Sequence, residues 1–76
     1  MTYTETKKQL DKVVNLYKFG LLLIPETLNR ITEIITGYIS SVPGMELNRR
    51  IATENRLYIY GLRKLSEQIR TMNKCS

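Results

Sequence analysis

Residues 3–42 read YTETKKQLDKVVNLYKFGLLLIPETLNRITEIITGYISSV, and two interleaved rows of apolar residues run through them. Counting by seven from Tyr3 gives Tyr3, Leu10, Tyr17, Ile24, Ile31 and Tyr38, while counting by seven from Val14 gives Val14, Leu21, Leu28, Ile35 and Val42. Only Lys7 interrupts the second row. Rows offset in this way form one stripe on an α-helix and bury one seam against a neighbour. The alternation expected of β-strands is absent, so the fold class is all-α.

Pro25 sits inside the stripe. Proline removes a helical hydrogen bond and crowds the preceding turn, so the segment is either one helix kinked there or two helices meeting near Gly20 to Ile24. The unchanged phase of the stripe across Pro25 favours the kink or a very tight break. Proline at the start of a second helix is the alternative. Ser40-Ser41-Val42-Pro43-Gly44 is the clearest punctuation, and the chain is expected to reverse there.

Beyond the reversal the pattern resumes in two rows, Ile51, Tyr58, Leu65 and Met72 beside Asn48, Asn55, Leu62 and Ile69. The expected architecture is one domain over residues 1–76, with helical segments near 3–23, 25–40 and 45–73 and a turn at 40–44. It forms an antiparallel helical hairpin whose first arm is kinked or broken near Pro25, which makes it a three-helix arrangement if the break is complete. The last residues, 73–76, are expected to fray.

A chain of 76 residues buries only roughly 60% of the surface its unfolded form exposes, so its own core is marginal and a second copy or a partner is expected to add to it. The single cysteine, Cys75, cannot build a disulfide framework and fits a reducing compartment. No apolar run approaches the length needed to span a bilayer, and residues 1–8 lack the layout of a signal peptide, so a cytoplasmic protein with no membrane partner is expected. Twelve Lys and Arg against seven Asp and Glu give a net charge of +5, a bias toward acidic partners. Plentiful Ile, Lys, Asn and Tyr beside a single alanine, Ala52, suggest AT-rich codons, as in a phage or other mobile element of a low-GC bacterium.

Two constellations stand out as candidate sites. Folding the arms about Pro43 sets Leu21, Leu22, Leu23 and Ile24 opposite Leu57, Tyr58, Ile59, Tyr60 and Leu62. Leu22, Leu23, Leu57, Ile59 and Tyr60 fall outside the seam of a simple hairpin, so the two stretches form an apolar waist wider than two helices can hide. A patch of that kind marks an interface. It is covered by a detached third helix of the same chain, by a second copy or by another protein, and tyrosine suits each case by joining an apolar ring to a hydroxyl.

The second constellation is an arginine ladder at heptad spacing, Arg49, Arg56, Arg63 and Arg70, flanked by Arg50 and Lys64. Its span is about 32 Å on a helix, near one turn of B-DNA, and the guanidinium fork suits phosphate or carboxylate oxygens. Glu46, Glu54 and Glu67 dilute the field, so a plain solvated face explains the row equally well. Asn48 and Asn55 in a seam row would fix register if buried. A helix-turn-helix fails, because with Gly44 at its turn Arg50 and Thr53 fall where that motif buries apolar residues.

Catalytic chemistry finds no footing. The chain has no histidine, no glycine-rich phosphate loop and no cluster with metal-ligand spacing. No enzyme activity, small-molecule substrate, metal or cofactor is expected. The residues point to a homodimeric adaptor or inhibitor of a larger protein, with a basic nucleic-acid-binding accessory protein as the alternative.

Overall fold

The computed structural model describes residues 2–74 and contains three α-helices, α1 (Tyr3–Lys18), α2 (Ile24–Ser41) and α3 (Leu47–Lys74), with no strand among the described residues. Each helix packs against the other two. The body measures 47 × 20 × 19 Å. Its long dimension is set by α3, whose 28 residues rise about 42 Å at 1.5 Å each.

The first arm is broken rather than kinked, and the reason lies at Gly20. Gly20 adopts φ +78°, a left-handed conformation that costs glycine little. There the N–H of Gly20 donates to the Tyr17 carbonyl at 3.0 Å and the N–H of Leu21 to the Leu16 carbonyl at 2.9 Å. This bond pair is the Schellman ending, which satisfies the last carbonyls of α1 and turns the chain away. Pro25 then falls in the first turn of α2, where its missing N–H costs nothing. The Glu26 carboxylate accepts the N–H of Leu23 at 3.4 Å, half of a capping box whose other half leucine cannot supply.

Both helix starts share a second device. Thr6 donates its hydroxyl to the Thr2 carbonyl at 2.9 Å and Thr27 donates to the Leu23 carbonyl at 2.8 Å, so both threonines are wholly buried without an orphaned hydroxyl. Thr2 also caps α1, accepting the N–H of Glu5 at 3.1 Å. At the second turn the helix outlasts its expected end. Ser40 and Ser41 remain helical, the Ser41 hydroxyl donating to the Tyr38 carbonyl at 2.8 Å, and the reversal occupies residues 42–46. Val42 is extended, as a residue before proline must be, and Gly44 takes φ +71°. Asn73 and Lys74 continue α3, while Cys75 lies outside the described residues.

Three contacts fix how the helices meet. The Tyr3 and Tyr38 rings pack edge to face at 6.2 Å, so the start of α1 lies against the end of α2. Tyr60 donates its hydroxyl to both carboxylate oxygens of Asp11 at 2.9 and 3.0 Å, which joins α1 to α3. Gly61 faces Ile31 and Leu10 together, so the three helices come closest at that level. The core around it is Leu10, Ile31, Ile35 and Leu57, all wholly buried.

Burial and then the Asp11 carboxylate hold the Tyr60 hydroxyl protonated, raising its pKa above the ordinary tyrosine value. Because the folded pKa exceeds the unfolded one, the folded state binds this proton more tightly. The stabilisation is complete below pH ~10 and is lost as pH rises through the raised value. Tyr60→Phe is expected to cost about 1 kcal/mol in urea melts at pH 7. It also flattens the decline of stability above pH ~10, and an unchanged alkaline decline would discount the Asp11 contact.

Candidate interaction surface

α3 lies against two helices, and that turns its buried face away from the expected one. The heptad rows put Tyr58, Leu62 and Leu65 at the centre of the seam, whereas the buried positions are Leu57, Gly61 and Leu65. The buried face is rotated by less than one residue, roughly 70° at about 100° per residue, with Leu65 common to both. Leu57 therefore moves from the expected outer surface to complete burial, and Ile51, Leu62 and Met72 move from the expected seam to solvent. Tyr58 and Tyr60 are half-buried, and Asn48 and Asn55 are exposed, so neither asparagine sets a register within the chain.

Of the two stretches of the expected waist, Leu22 and Leu57 enter one core cluster, while the remaining residues stand at different levels of the bundle. Gly61 sits opposite Ile31, and counting seven residues back along α2 and seven forward along antiparallel α3 places Ile24 level with Gln68. Leu57 to Leu62 thus lie at mid-bundle, and Leu21 to Ile24 lie beside the last turns of α3. Leu22, at 9% exposure, turns inward and joins the core. Leu21 and Leu23 point outward at 68% and 69%, and Phe19 exceeds both at 71%. The α1–α2 loop therefore presents three large apolar side chains to solvent around one that anchors it. Phe19 lies outside both heptad rows, and its signals in the sequence are its place just before a helix-ending glycine and at the head of the longest apolar run, Phe19 to Ile24.

A second apolar strip runs along α3. Tyr60 marks the flank that faces α1, through Asp11 and through Lys7, whose Nζ lies 4.7 Å from the Tyr60 ring centre. At about 100° per residue, Ile51, Leu62 and Ile69 fall on the opposite flank, beside α2. Ile51 and Leu62 are exposed there, Ile69 is half-buried, and Ile24 and Leu28 are exposed at the start of α2. Ile59 is exposed on the outer surface of α3. The loop and this flank meet where Ile24 is level with the last turns of α3.

The arginine ladder occupies the other flank. Arg49, Arg56, Arg63 and Arg70 are all exposed, as are Arg50 and Lys64, and Lys64 lies 5.7 Å from the Tyr60 ring centre. None of the four ladder guanidiniums has a hydrogen bond or ion pair with a described residue. α3 thus carries an apolar flank on its α2 side and a basic flank on its α1 side. Among the described residues no group of acidic, cysteine or histidine side chains could hold a metal ion, and no helix is long and apolar enough to cross a membrane. No family model matches the chain, and neither a curated protein nor a solved structure shows significant similarity to it.

Proposed function

We propose that this chain is a non-enzymatic protein–protein interaction module, an adaptor or inhibitor that acts as a homodimer. The observation that supports this reading most directly is the α1–α2 loop. Phe19, Leu21 and Leu23 are about 70% exposed on a bundle whose own core is already closed beneath them by Leu10, Ile31, Ile35 and Leu57. Three large apolar side chains exposed on one loop form the kind of patch that another surface covers. The adjoining α2–α3 flank, with Ile24, Leu28 and Leu62, extends that area along the molecule.

Sedimentation at tens of micromolar should show a dimer. Leu23→Glu combined with Leu62→Glu should weaken it at least tenfold while leaving helicity and cooperative melting intact, because both side chains are exposed in the single chain. A strict monomer under those conditions overturns the dimer.

The four ladder guanidiniums, unpaired among the described residues, support a second reading, a nucleic-acid accessory protein that lays α3 along a phosphate backbone. Affinity for duplex DNA should then fall steeply with salt, and Arg56→Ala with Arg63→Ala should reduce the log–log slope by about two phosphate contacts. Absence of a gel shift even at low salt removes this reading and leaves the first untouched.

A further inference from the structure

The end of the bundle opposite the apolar loop holds a groove of about 660 Å³. It arises because α1 begins beside the end of α2, leaving the first turns of α3 and the 42–46 connection overhanging its start. Tyr3, Tyr38, Val42 and Met45 give the groove an apolar and aromatic wall, and Arg49 and Arg56 stand on its α3 side. These are the two ladder residues nearest the turn, two helical turns apart on one face, and neither guanidinium has a partner among the described residues. The volume lies within the range of about 300–1,000 Å³ typical of small-molecule sites, which likewise combine apolar walls with a few convergent polar groups.

We propose that this groove binds a small aromatic oxyanion, an aryl carboxylate or aryl phosphate, with its ring against the tyrosine and methionine wall and its anionic group on Arg49 and Arg56. The ring and the charge are both needed. An arginine pair alone attracts any anion weakly through solvent, and an apolar wall alone does not select for charge. Tyr3 and Tyr38 already meet edge to face, so the wall is held in place before a ligand arrives. Such pre-ordering lowers the cost of binding. The lining offers hydroxyls, at Tyr3, Tyr38 and Thr53, and no carboxylate or thiol beside them, so the proposal is one of binding alone. The site is separate from the apolar loop and stands whether or not the dimer forms.

The test is a titration of ¹⁵N-labelled protein with phenyl phosphate and with benzoate, followed through the amides of Gly44, Ala52 and Thr53. Saturable shifts confined to those residues are expected with at least one of the two, and their relative strength distinguishes phosphate from carboxylate. Inorganic phosphate and benzyl alcohol should each bind at least tenfold more weakly than the better ligand. Arg49→Gln with Arg56→Gln should weaken binding at least tenfold. Ala52→Phe, which fills the groove and spares both arginines, should abolish it, with an unchanged thermal melt showing that the fold is intact. Equal binding of phenyl phosphate and inorganic phosphate, shifts spread evenly to Arg63 and Arg70, or an indifferent Ala52→Phe protein would overturn the proposal.

Discussion

Leu57→Glu should unfold the protein, while Ile59→Glu, two residues along the same helix, should leave it folded. Leu57 is wholly buried with Leu10, Ile31 and Ile35, and no basic side chain belongs to that cluster. A carboxylate placed there either stays charged without a partner or takes up a proton and remains poorly solvated, at a cost of several kcal/mol. A chain of 76 residues has a total stability of roughly 4–11 kcal/mol at 0.05–0.15 kcal/mol per residue, so that cost takes most or all of it. Leu57→Ala, which removes only packing, should cost about 2–5 kcal/mol and leave a cooperative transition at lower denaturant. Ile59 is exposed, and its substitution should move stability by no more than about 0.5 kcal/mol. Far-UV circular dichroism with urea melts of the three variants reads all of this. A Leu57→Glu protein with a near-native melt would mean that α3 packs in the heptad phase after all.

The second large effect is expected at Gly61, where the sign depends on the size of the side chain introduced. A Cβ added there would lie 3.4 Å from Cγ2 of Ile31 and 3.8 Å from Cδ1 of Leu10, which is ordinary contact. Gly61→Ala should therefore keep most of the ~1 kcal/mol that alanine gains over glycine inside a helix, and raise the melting temperature by a few degrees. Anything longer enters space already held by Ile31 and Leu10. Gly61→Leu should cost about 1–3 kcal/mol or more through overpacking and separate α3 from the other two helices. Thermal melts of the two variants should move in opposite directions. If both rise together, the three helices do not meet closely at this level.

Both effects concern α3, and α3 is where the sequence was hardest to read. In α1 and α2 the heptad rows identify the buried residues well, since Leu10, Val14, Ile31, Ile35 and Tyr38 are all buried. The same rows fail at Leu21, which the turn through residues 19–23 carries outward, and at Ile24 and Leu28, which lie in α2 itself but at the exposed edge of its first turns. The signal for that turn was present as a glycine followed five residues later by a proline. The unbroken phase of the rows outweighed it. In α3 the difficulty is physical: the centre of the buried face is a glycine, which adds nothing to an apolar count, so the periodicity locks onto the neighbouring Tyr58 and Leu62. The candidate surfaces fared accordingly. The arginine row was legible because charge spacing on an exposed flank does not depend on packing phase. Of the apolar waist only Leu22 and Leu57 enter the common core, because a third helix sets a register that matching two arms does not give.

The connections at residues 19–23 and 42–46 also govern how the molecule comes into being. Each helix is tied to the next by a short segment, so closing either loop costs little entropy, and most contacts lie within a helix rather than between helices. Low contact order of this kind corresponds to folding in microseconds to milliseconds. Two protein chains at micromolar concentration, with association rate constants of about 10⁵–10⁷ M⁻¹s⁻¹, meet on the scale of about a tenth of a second to ten seconds. The dimer proposed above would therefore assemble from bundles that are already complete. Stopped-flow refolding should show a fast phase independent of protein concentration and a slower bimolecular one, and a single concentration-dependent phase would mean that the chains fold only together.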